Sequence, residues 1–391
     1  MDGQSDERIF VQIPAYRDPE LIPTLVDLVQ KARYPERLRA GVCWQHDEGE
    51  RVDAFAAAGF RVSTDVHAGH LRHRLEKLGA VVWIYDYAMA ESRGCGWARA
   101  IAQQAFSDEA YTLQLDSHHR FARHWDSDLI GMLEALRRRS RRPVLVAHPP
   151  AYEPGQAVPS RCDEGYQIDF VAFGGPGVIR TRSTPIAYPP GANAPIRARF
   201  FSGGFAFADG TFVRDVSADP DHYFNTEEIT LAVRAYTHGY DLFHPHRHVV
   251  WHYYGRPDAP KVWDDQALAL ARGETVLDGA RLGLRALSDV ENAFGMHGDP
   301  VPVPWLGGAA EPGGLRALCR DQLRPARGHA ADPLPDRAIR RRFRAGSAKL
   351  GGPSPACAPN SLRYRPDRRT IPVSPNEATE RVRRKNECAG A

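Results

Sequence analysis

The strongest chemical signal in the sequence is the segment LQLDSHHRF, which places Asp116 and His118 directly after a strand-like run at residues 113–115. Two residues that are two positions apart in an extended chain point to the same side. A carboxylate oxygen and an imidazole nitrogen on one side can share a divalent cation, and this mixed ligation suits Mn²⁺. The alternative is that Asp116 caps the following turn and that His118 is solvated.

Four later histidines, His244, His246, His248 and His252, share one parity along the chain. The HPHRH part suggests a three-histidine zinc site, but Pro245 interrupts the strand, and histidines on a solvated face are common. His252 differs because it lies in the apolar segment VVWHYY, where a histidine either is hydrogen-bonded in the core or faces a site. We expect His252 to complete the metal site at the DSH segment.

Glycines and carboxylates that suit a sugar follow in the segments FFSGGFAFADG and NTEEI. Gly203 and Gly204 allow the backbone to approach a ligand closely. Glu227 and Glu228 fall in the first turn of a predicted helix, where a carboxylate interacts favourably with the helix dipole. The interaction with the helix dipole is sufficient to explain a carboxylate at Glu228, whereas Glu227 can also accept hydrogen bonds from sugar hydroxyls.

A phosphate site is predicted at SRGCGWARAIAQ, where two glycines precede a helix whose first turn contains Arg99. A helix N-terminus, glycines and an arginine together suit a diphosphate. The segment has neither the GxGxxG nor the GxxxxGK[ST] spacing, so a Rossmann dinucleotide domain and a P-loop kinase are not supported. Arg256, which follows the VVWHYY segment, is assigned to the same donor-binding set.

These residues must be positioned by the elements between them, which alternate between strands and helices. Strands are predicted at 9–14, 41–44, 60–64, 81–85 and 111–115, and helices at 19–33, 52–58 and 97–106. This alternation is typical of a doubly wound, mostly parallel α/β sheet. Ligands of such sheets bind at the carboxyl ends of strands. We therefore expect a nucleotide at the loop formed by Pro14, Ala15, Tyr16 and Arg17, with Asp47 near the base or ribose.

The second half of the chain is rich in proline and glycine, with strands predicted at 144–147, 166–173 and 199–207 and a helix at 227–238. A boundary near residue 300 separates a predicted catalytic domain, 1–300, from an extension, 301–391. The extension has 18 Lys+Arg against 8 Asp+Glu and holds 12 of the 31 prolines, which predicts a basic, loosely structured tail. Nucleic-acid recognition is not expected, because no recognition helix or aromatic-basic platform accompanies this charge.

The composition limits the class of protein. The chain has 391 residues, of which 42% are hydrophobic and 25% charged, a globular balance that excludes a mainly disordered, collagenous or membrane-spanning protein. Its longest apolar stretches, at 21–29 and 80–85, are shorter than the roughly 20 residues that span a bilayer, and no signal peptide or anchor is visible. The six cysteines form no CxxC pair. We therefore expect a reduced, cytoplasmic protein with no membrane partner.

The order of these motifs resembles that of a known family. The motifs are IPAYRD, CWQHD, WARAIAQ, LQLDSHHRF, SGGFAFADGTF, NTEEI and VVWHYY. Over about residues 8–296 they resemble glycosyltransferase family 60, the cytoplasmic hydroxyproline N-acetylglucosaminyltransferases, and its bacterial relatives. A more distant resemblance connects the chain to the polypeptide N-acetylgalactosaminyltransferases, which have an Asp-x-His motif and a later histidine.

This resemblance implies a GT-A fold, a UDP-sugar donor, retention of anomeric configuration, and Mn²⁺ or another divalent cation such as Mg²⁺. It assigns Asp116, His118 and His252 to the metal and Glu227 to the donor sugar, N-acetylglucosamine. The acceptor is then a hydroxyl on a peptide, a protein or a small molecule. The family has Gly-Glu-Glu where this chain has a threonine before its two glutamates. Front-face attack, in which the departing phosphate takes the acceptor proton, stays open beside double displacement through Glu227 or Glu228.

Two functions from other classes also stay open. A metal-dependent hydrolase that uses Asp116, His118, His119 and the later histidines would bind zinc and ignore UDP. A non-catalytic module with a sugar-nucleotide fold would recruit partners through its tail, and Thr226 would be a first sign of such decay. The complete set of Asp116, His118 and His252 argues against loss of catalysis.

Overall fold

The computed structural model describes residues 7–160, 162–175, 178–188, 194–224, 226–275 and 277–293. Within these residues the helices are α1 (Leu21–Lys31), α2 (Asp53–Ala57), α3 (Cys95–Gln103), α4 (Trp125–Leu136), α5 (Phe212–Asp215), α6 (Glu227–Thr237), α7 (Val262–Ala271) and α8 (Gly279–Ala293). The strands are β1 (Ile9–Tyr16), β2 (Leu38–His46), β3 (Arg61–His67), β4 (His70–Lys77), β5 (Ala80–Ala88), β6 (Tyr111–Leu115), β7 (His119–Phe121), β8 (Pro143–Val146), β9 (Tyr166–Gly175), β10 (Val178–Pro185), β11 (Ile196–Arg197), β12 (Phe205–Asp209), β13 (Asp241–His244) and β14 (Val250–His252).

A ten-stranded sheet forms the centre of the described part of the chain, in the order β11-β13-β8-β12-β6-β1-β2-β5-β4-β3. Its middle strands β6, β1, β2 and β5 run parallel to one another. This arrangement confirms the α/β class predicted from the alternation of strands and helices. Because parallel strands end at the same edge, the residues that follow β1, β2 and β6 lie near one another.

The strands on both sides of this parallel centre are antiparallel, which the sequence did not predict. On one side β4 pairs with β5, and β3 with β4, through a hairpin turn at Ala68 and Gly69, which both have positive φ. On the other side β12 is inserted antiparallel between β6 and β8. The strand predicted at 60–64 overlaps β3, but β4 was not predicted, because its sequence HLRHRLEK has little of the apolar alternation that identifies a strand.

A separate two-stranded sheet joins the two distant parts of the predicted site. Strand β7 follows β6 after three residues, and β14 pairs with it antiparallel, with His119 opposite His252. Val250 and Trp251 of β14 are buried in the main hydrophobic core. The apolar side chains of VVWHYY therefore anchor His252 beside the carboxyl end of β6.

Helices α1 and α3 pack closely on the central sheet. Gly41 of β2 permits the approach of α3, because a Cβ at this position would lie 2.0 Å from the carbonyl oxygen of Ala102. Helix α1 buries Leu21, Leu25 and Leu28 in the main core, and each such side chain contributes roughly 1.5–3 kcal/mol relative to an exposed one. This packing holds the start of α3 at the carboxyl edge of the sheet.

Strand β1 is longer than predicted. Ala15 and Tyr16, which were expected in the loop after the strand, are strand residues, and so is Pro14, which was expected where the strand meets the loop. The strand pairs with β6 only as far as Gln12 but with β2 as far as Tyr16. Beyond Gln12 one side of β1 is not paired with β6, and a proline, which has no N–H to donate, is tolerated there.

The second half of the described chain carries fewer strands of the main sheet. Strands β9 and β10 form an antiparallel pair of their own. None of the helices in the described ranges combines the length and the apolar character that a membrane crossing requires. The predicted boundary near residue 300 and the basic extension 301–391 lie outside the described residues.

Candidate functional site

Three predicted metal ligands converge at the carboxyl edge of the sheet. Asp116 directly follows β6, His118 lies between β6 and β7, and His252 ends β14. The Nε2 atom of His252 lies 3.2 Å from Oδ2 of Asp116, and the ring centroids of His118 and His252 are 4.5 Å apart. One ligand atom from each residue falls within 4.8 Å of the others. The structure thus brings together three side chains that the sequence separates widely.

This set of donor atoms fits a divalent cation. Bonds from such an ion to nitrogen or oxygen ligands are about 2.0–2.2 Å long, so two ligands of one ion lie no more than about 4 Å apart. The 3.2 Å separation between Asp116 and His252 meets that limit, and side-chain rotation can close the wider spacing of up to 4.8 Å within the group. One carboxylate and two imidazoles leave further coordination positions for phosphate oxygens.

The protonation states of the cluster also suit a metal. Burial alone would raise the pKa of Asp116, but the hydrogen bond from His252 and the charge of Arg99 hold it well below its usual range. Burial lowers the pKa of His252. Burial and the neighbouring His252 likewise hold the pKa of His119 well below its usual range. An ionised carboxylate and neutral imidazoles are the forms that bind metal ions.

Asp18, which the sequence analysis did not identify, contacts this cluster from the end of β1. Its side chain is 1% exposed, and its Oδ2 lies 2.8 Å from Nδ1 of His118 and 3.2 Å from Nη2 of Arg256. The hydroxyl of Ser117 donates to the same oxygen. Burial opposes ionisation of Asp18, but the hydrogen bonds from His118 and Ser117 and the nearby charges of His118 and Arg256 together outweigh it and lower the pKa. The available signal was the place of Asp18 in IPAYRD, two residues beyond β1.

Arg99 lies beneath the cluster and not at the surface of a cleft. The residue is 1% exposed, and its Nη2 lies 3.1 Å from Oδ1 of Asp116 and 2.7 Å from the carbonyl oxygen of Gly203. Its Nε forms an ion pair with Oε1 of Glu227 at 2.6 Å, and its Nη1 donates to the carbonyl of Leu115. The diphosphate contact predicted for Arg99 requires an accessible guanidinium, whereas this one is enclosed by oxygen atoms of the protein.

Gly203, Gly204 and Glu228 border the cluster. Both glycines precede β12, so they are not part of a strand at 199–207 as predicted. The backbone N–H of Gly203 donates to Oε1 of Glu228 at 2.8 Å, and a Cβ on Gly204 would lie 2.9 Å from Oδ2 of Asp116. Glu228 is open to solvent on one side. Its burial on the other sides, together with the charges of Glu227 and Asp116, raises its pKa to about 7.

Glu227 begins helix α6 and is 8% exposed. In addition to its ion pair with the buried arginine, it accepts hydrogen bonds from the thiol of Cys95 at 3.2 Å and from Nε2 of Gln114 at 3.4 Å. Thr226, which stands where the resemblance implies a glycine, is buried at the start of the same helix. Both carboxylate oxygens of Glu227 are therefore held by protein groups.

The residues predicted to bind a nucleotide belong to one network of hydrogen bonds and ion pairs that includes α7. The hydroxyl of Tyr16 and Nη1 of Arg17 both donate to Oδ2 of Asp265 at 2.8 Å, and Nη2 of Arg17 lies 3.2 Å from Oδ2 of Asp47. The structure brings Tyr16, Arg17 and Asp47 together at the ends of β1 and β2, and it adds Asp265. No local motif identifies Asp265, because α7 is far from β1 in the sequence.

His244 and His248 are both buried inside the protein. The Nε2 of His244 accepts the backbone N–H of Ile168 at 3.1 Å, and its Nδ1 lies 3.0 Å from the carbonyl oxygen of Val146. Burial lowers the pKa of His244 to about 4 and that of His248 to about 3. Because both ring nitrogens of His244 are hydrogen-bonded to the backbone, neither has a free lone pair with which to bind a zinc ion at the HPHRH segment.

Three comparisons with known proteins bear on the identity of the chain. The crystal structure of GalNAc-T7 with UDP, GalNAc and Mn²⁺ is similar with a TM-score of 0.46 and 12% sequence identity. The match covers 82% of this chain and 55% of that chain, so it spans about half the length of GalNAc-T7. A search of curated proteins finds no match. The model of the family described as Glycosyltransferase (GlcNAc) matches residues 8–289, and the chain therefore belongs to this glycosyltransferase family.

Proposed function

We propose that the protein is a metal-dependent, retaining glycosyltransferase of family 60 that moves N-acetylglucosamine from a UDP-sugar to a hydroxyl acceptor. The acceptor is a peptide, a protein or a small molecule. The observation that carries the proposal is the convergence of Asp116, His118 and His252, with Arg256 and Glu228 nearby, in a chain that belongs to a glycosyltransferase family.

The proposed diphosphate position lies beside the metal ligands. Asp116, His118 and His252 would hold Mn²⁺ or Mg²⁺, and such an ion, when bound, supplies Lewis-acid stabilisation of the leaving diphosphate. Arg256 adds positive charge at the same place, since its Nη1 lies 3.1 Å from Nε2 of His118. A guanidinium can donate two hydrogen bonds to phosphate oxygens. Arg99, in this proposal, positions Asp116 and does not touch the donor.

The uridine is proposed to bind at the ends of β1 and β2. Ligands of parallel α/β sheets lie at such strand ends, and Tyr16, Arg17 and Asp47 offer a ring, a guanidinium and a carboxylate there. Asp265 accepts hydrogen bonds from Tyr16 and Arg17. Binding of the nucleoside would therefore exchange these contacts with α7 for contacts with the base or ribose.

The contacts of the two glutamates favour front-face attack over a covalent intermediate on Glu227. A nucleophile needs an oxygen that is free to approach C1 of the sugar, whereas the Glu227 oxygens are held by Arg99, Cys95 and Gln114. Within the described residues, Glu227 Oε2 has only Cys95 as a partner and keeps a lone pair that can accept a hydrogen bond from the donor sugar, and Glu228, with a pKa of about 7, can hydrogen-bond a sugar hydroxyl.

The proposed reaction passes through an oxocarbenium-like transition state. The bond between C1 and the diphosphate oxygen breaks as the bond between C1 and the acceptor oxygen forms on the same face. The acceptor proton passes to a phosphate oxygen of the departing UDP. The carboxylates and arginines around the site orient these groups and balance the charge that develops.

UDP release from a panel of UDP-sugars, with and without Mn²⁺, tests this function. Water can serve as a slow acceptor, so the true acceptor is not needed. We expect hydrolysis of UDP-N-acetylglucosamine with Mn²⁺ and at least a hundredfold loss of this activity in Asp116→Asn, because the anionic carboxylate ligand becomes a neutral amide. Asp126→Asn is the matched control, since Asp126 is buried and its carboxylate accepts the backbone N–H groups of Arg33 and Tyr34.

A thermal-shift assay on the same protein distinguishes the glycosyltransferase from the two alternative functions. A stabilisation that needs UDP and Mn²⁺ together supports the glycosyltransferase, because a ligand raises the melting temperature only when it binds the folded state. Stabilisation by Zn²⁺ alone, without a UDP effect, supports the hydrolase. UDP binding without turnover of any UDP-sugar supports the non-catalytic module. If no UDP-sugar is bound or hydrolysed with any divalent ion, the proposed function is wrong.

A further inference from the structure

We propose that Asp18 is a positioning residue that prepares the metal site, because it sets the tautomer of His118 and holds Arg256 beside it. The inference rests on the proposed function, since it concerns the same site. Asp18 lies in the turn between β1 and α1, and its partners lie near residue 118 and after β14. One carboxylate thus connects three segments that are distant in the sequence.

The hydrogen bond between Asp18 and His118 determines which ring nitrogen is available. The Oδ2 atom of Asp18 lies 2.8 Å from Nδ1 of His118. An ionised carboxylate only accepts hydrogen bonds, so Nδ1 must carry a proton, and in the neutral ring this leaves the lone pair on Nε2. Carboxylate groups orient metal-binding histidines in this way, and they raise the basicity of the ligand nitrogen.

Arg256 shares the same carboxylate oxygen. Its Nη2 lies 3.2 Å from Oδ2 of Asp18, and its Nη1 lies 2.6 Å from Nδ1 and 3.1 Å from Nε2 of His118. Because Nδ1 already donates to Asp18, Nε2 is the ring acceptor that Arg256 can reach; a cation that takes the Nε2 lone pair would displace this contact, while the ion pair with Asp18 keeps Arg256 beside the site. Arg256 is therefore held at the boundary between the proposed metal ion and the proposed diphosphate.

Asp18 is itself fixed in place by two further contacts. Its Oδ1 accepts the backbone N–H of Glu20 at 3.0 Å, and Ser117 donates to its Oδ2. The side chain is 1% exposed, so water competes little for these hydrogen bonds. A carboxylate that is fixed and enclosed in this way can orient a partner ring with little freedom of rotation.

The test measures metal binding directly, by electron paramagnetic resonance of free Mn²⁺ during titration without nucleotide. Asp18→Asn keeps one acceptor oxygen but loses the charge, and we expect Mn²⁺ to bind about 10–100-fold more weakly. Asp18→Ala loses the acceptor as well and should bind still more weakly. UDP affinity in saturating Mn²⁺, measured by calorimetry, should also fall in both variants, because Arg256 loses its anchor.

Asp126→Asn again serves as the control for a structural effect. Asp126 is 3% exposed, and its oxygens accept the backbone N–H groups of Arg33 and Tyr34 at 2.8 and 2.9 Å. Both asparagine variants should lower the melting temperature, but only the one at Asp18 should change Mn²⁺ affinity. Equal Mn²⁺ affinities in the wild type and in Asp18→Asn would overturn the inference. A wild-type protein that binds neither Mn²⁺ nor UDP would overturn the proposed function as well.

Discussion

Replacing Arg99 by methionine removes a buried positive charge from between two carboxylates. The side chain of Arg99 is 2% exposed and pairs with the side chains of Glu227 and Asp116, which are 10% and 29% exposed. Breaking a buried ion pair costs about 3–5 kcal/mol, because the partner charge stays buried without compensation. Water screens part of the effect at Asp116, so we expect the free energy of unfolding to fall by about 3 kcal/mol, at the lower end of that range.

Urea unfolding followed by tryptophan fluorescence measures this loss. Arg137→Met is the matched control, since Arg137 also pairs with two carboxylates, Glu134 and Asp209, but is 33% exposed. A pair of that kind contributes about 0–1 kcal/mol. Combining Arg99→Met with Glu227→Gln removes the stranded charge and should restore at least about 1 kcal/mol.

Two results would refute this reasoning about Arg99. One is a loss in Arg99→Met no greater than that in Arg137→Met, which would mean that the enclosed guanidinium contributes no more than a surface arginine. The other is a double variant as unstable as the sum of the two single changes, which would mean that Arg99 and Glu227 act independently.

Gly204→Ala should place a Cβ 2.9 Å from Oδ2 of Asp116 and displace this proposed metal ligand. We expect Mn²⁺ affinity to fall by about tenfold or more, with only a small change in melting temperature. An unchanged Mn²⁺ affinity would contradict this prediction. His46 faces two acceptors, Oδ1 of Asp86 and its neighbour's carbonyl oxygen, at 2.9 and 2.8 Å. Burial lowers the pKa of His46, but these hydrogen bonds outweigh it and raise the pKa. The stability that His46 contributes relative to His46→Gln should be complete below about pH 6.5 and decrease as the pH rises through the higher folded pKa. Urea unfolding at several pH values measures that difference, and a constant difference would exclude a charged His46.

Sequence patterns were sufficient to predict the local features of this protein, namely several strands and helices and the residues at their ends. Apolar periodicity identified β1, β6 and α1 because each element buries a face against the core, and periodicity records that burial. The position of Asp116 and His118 at the end of a strand identified a metal site, since carboxyl ends of parallel strands share one edge of the sheet. These inferences needed only neighbours within a few residues of each other.

The sequence predicted one distant meeting, that of His252 with Asp116, but the tertiary structure decided which other distant side chains meet and which are enclosed. The motif around Arg99 predicted a phosphate contact, but packing of α3 against the sheet buried its guanidinium between oxygen atoms of the protein. Asp18 and Asp265 were missed because their partners are about 100 and 249 positions away in the chain. An arginine or aspartate has the same local pattern in either setting, whereas its energy depends on burial and on partners that folding brings to it.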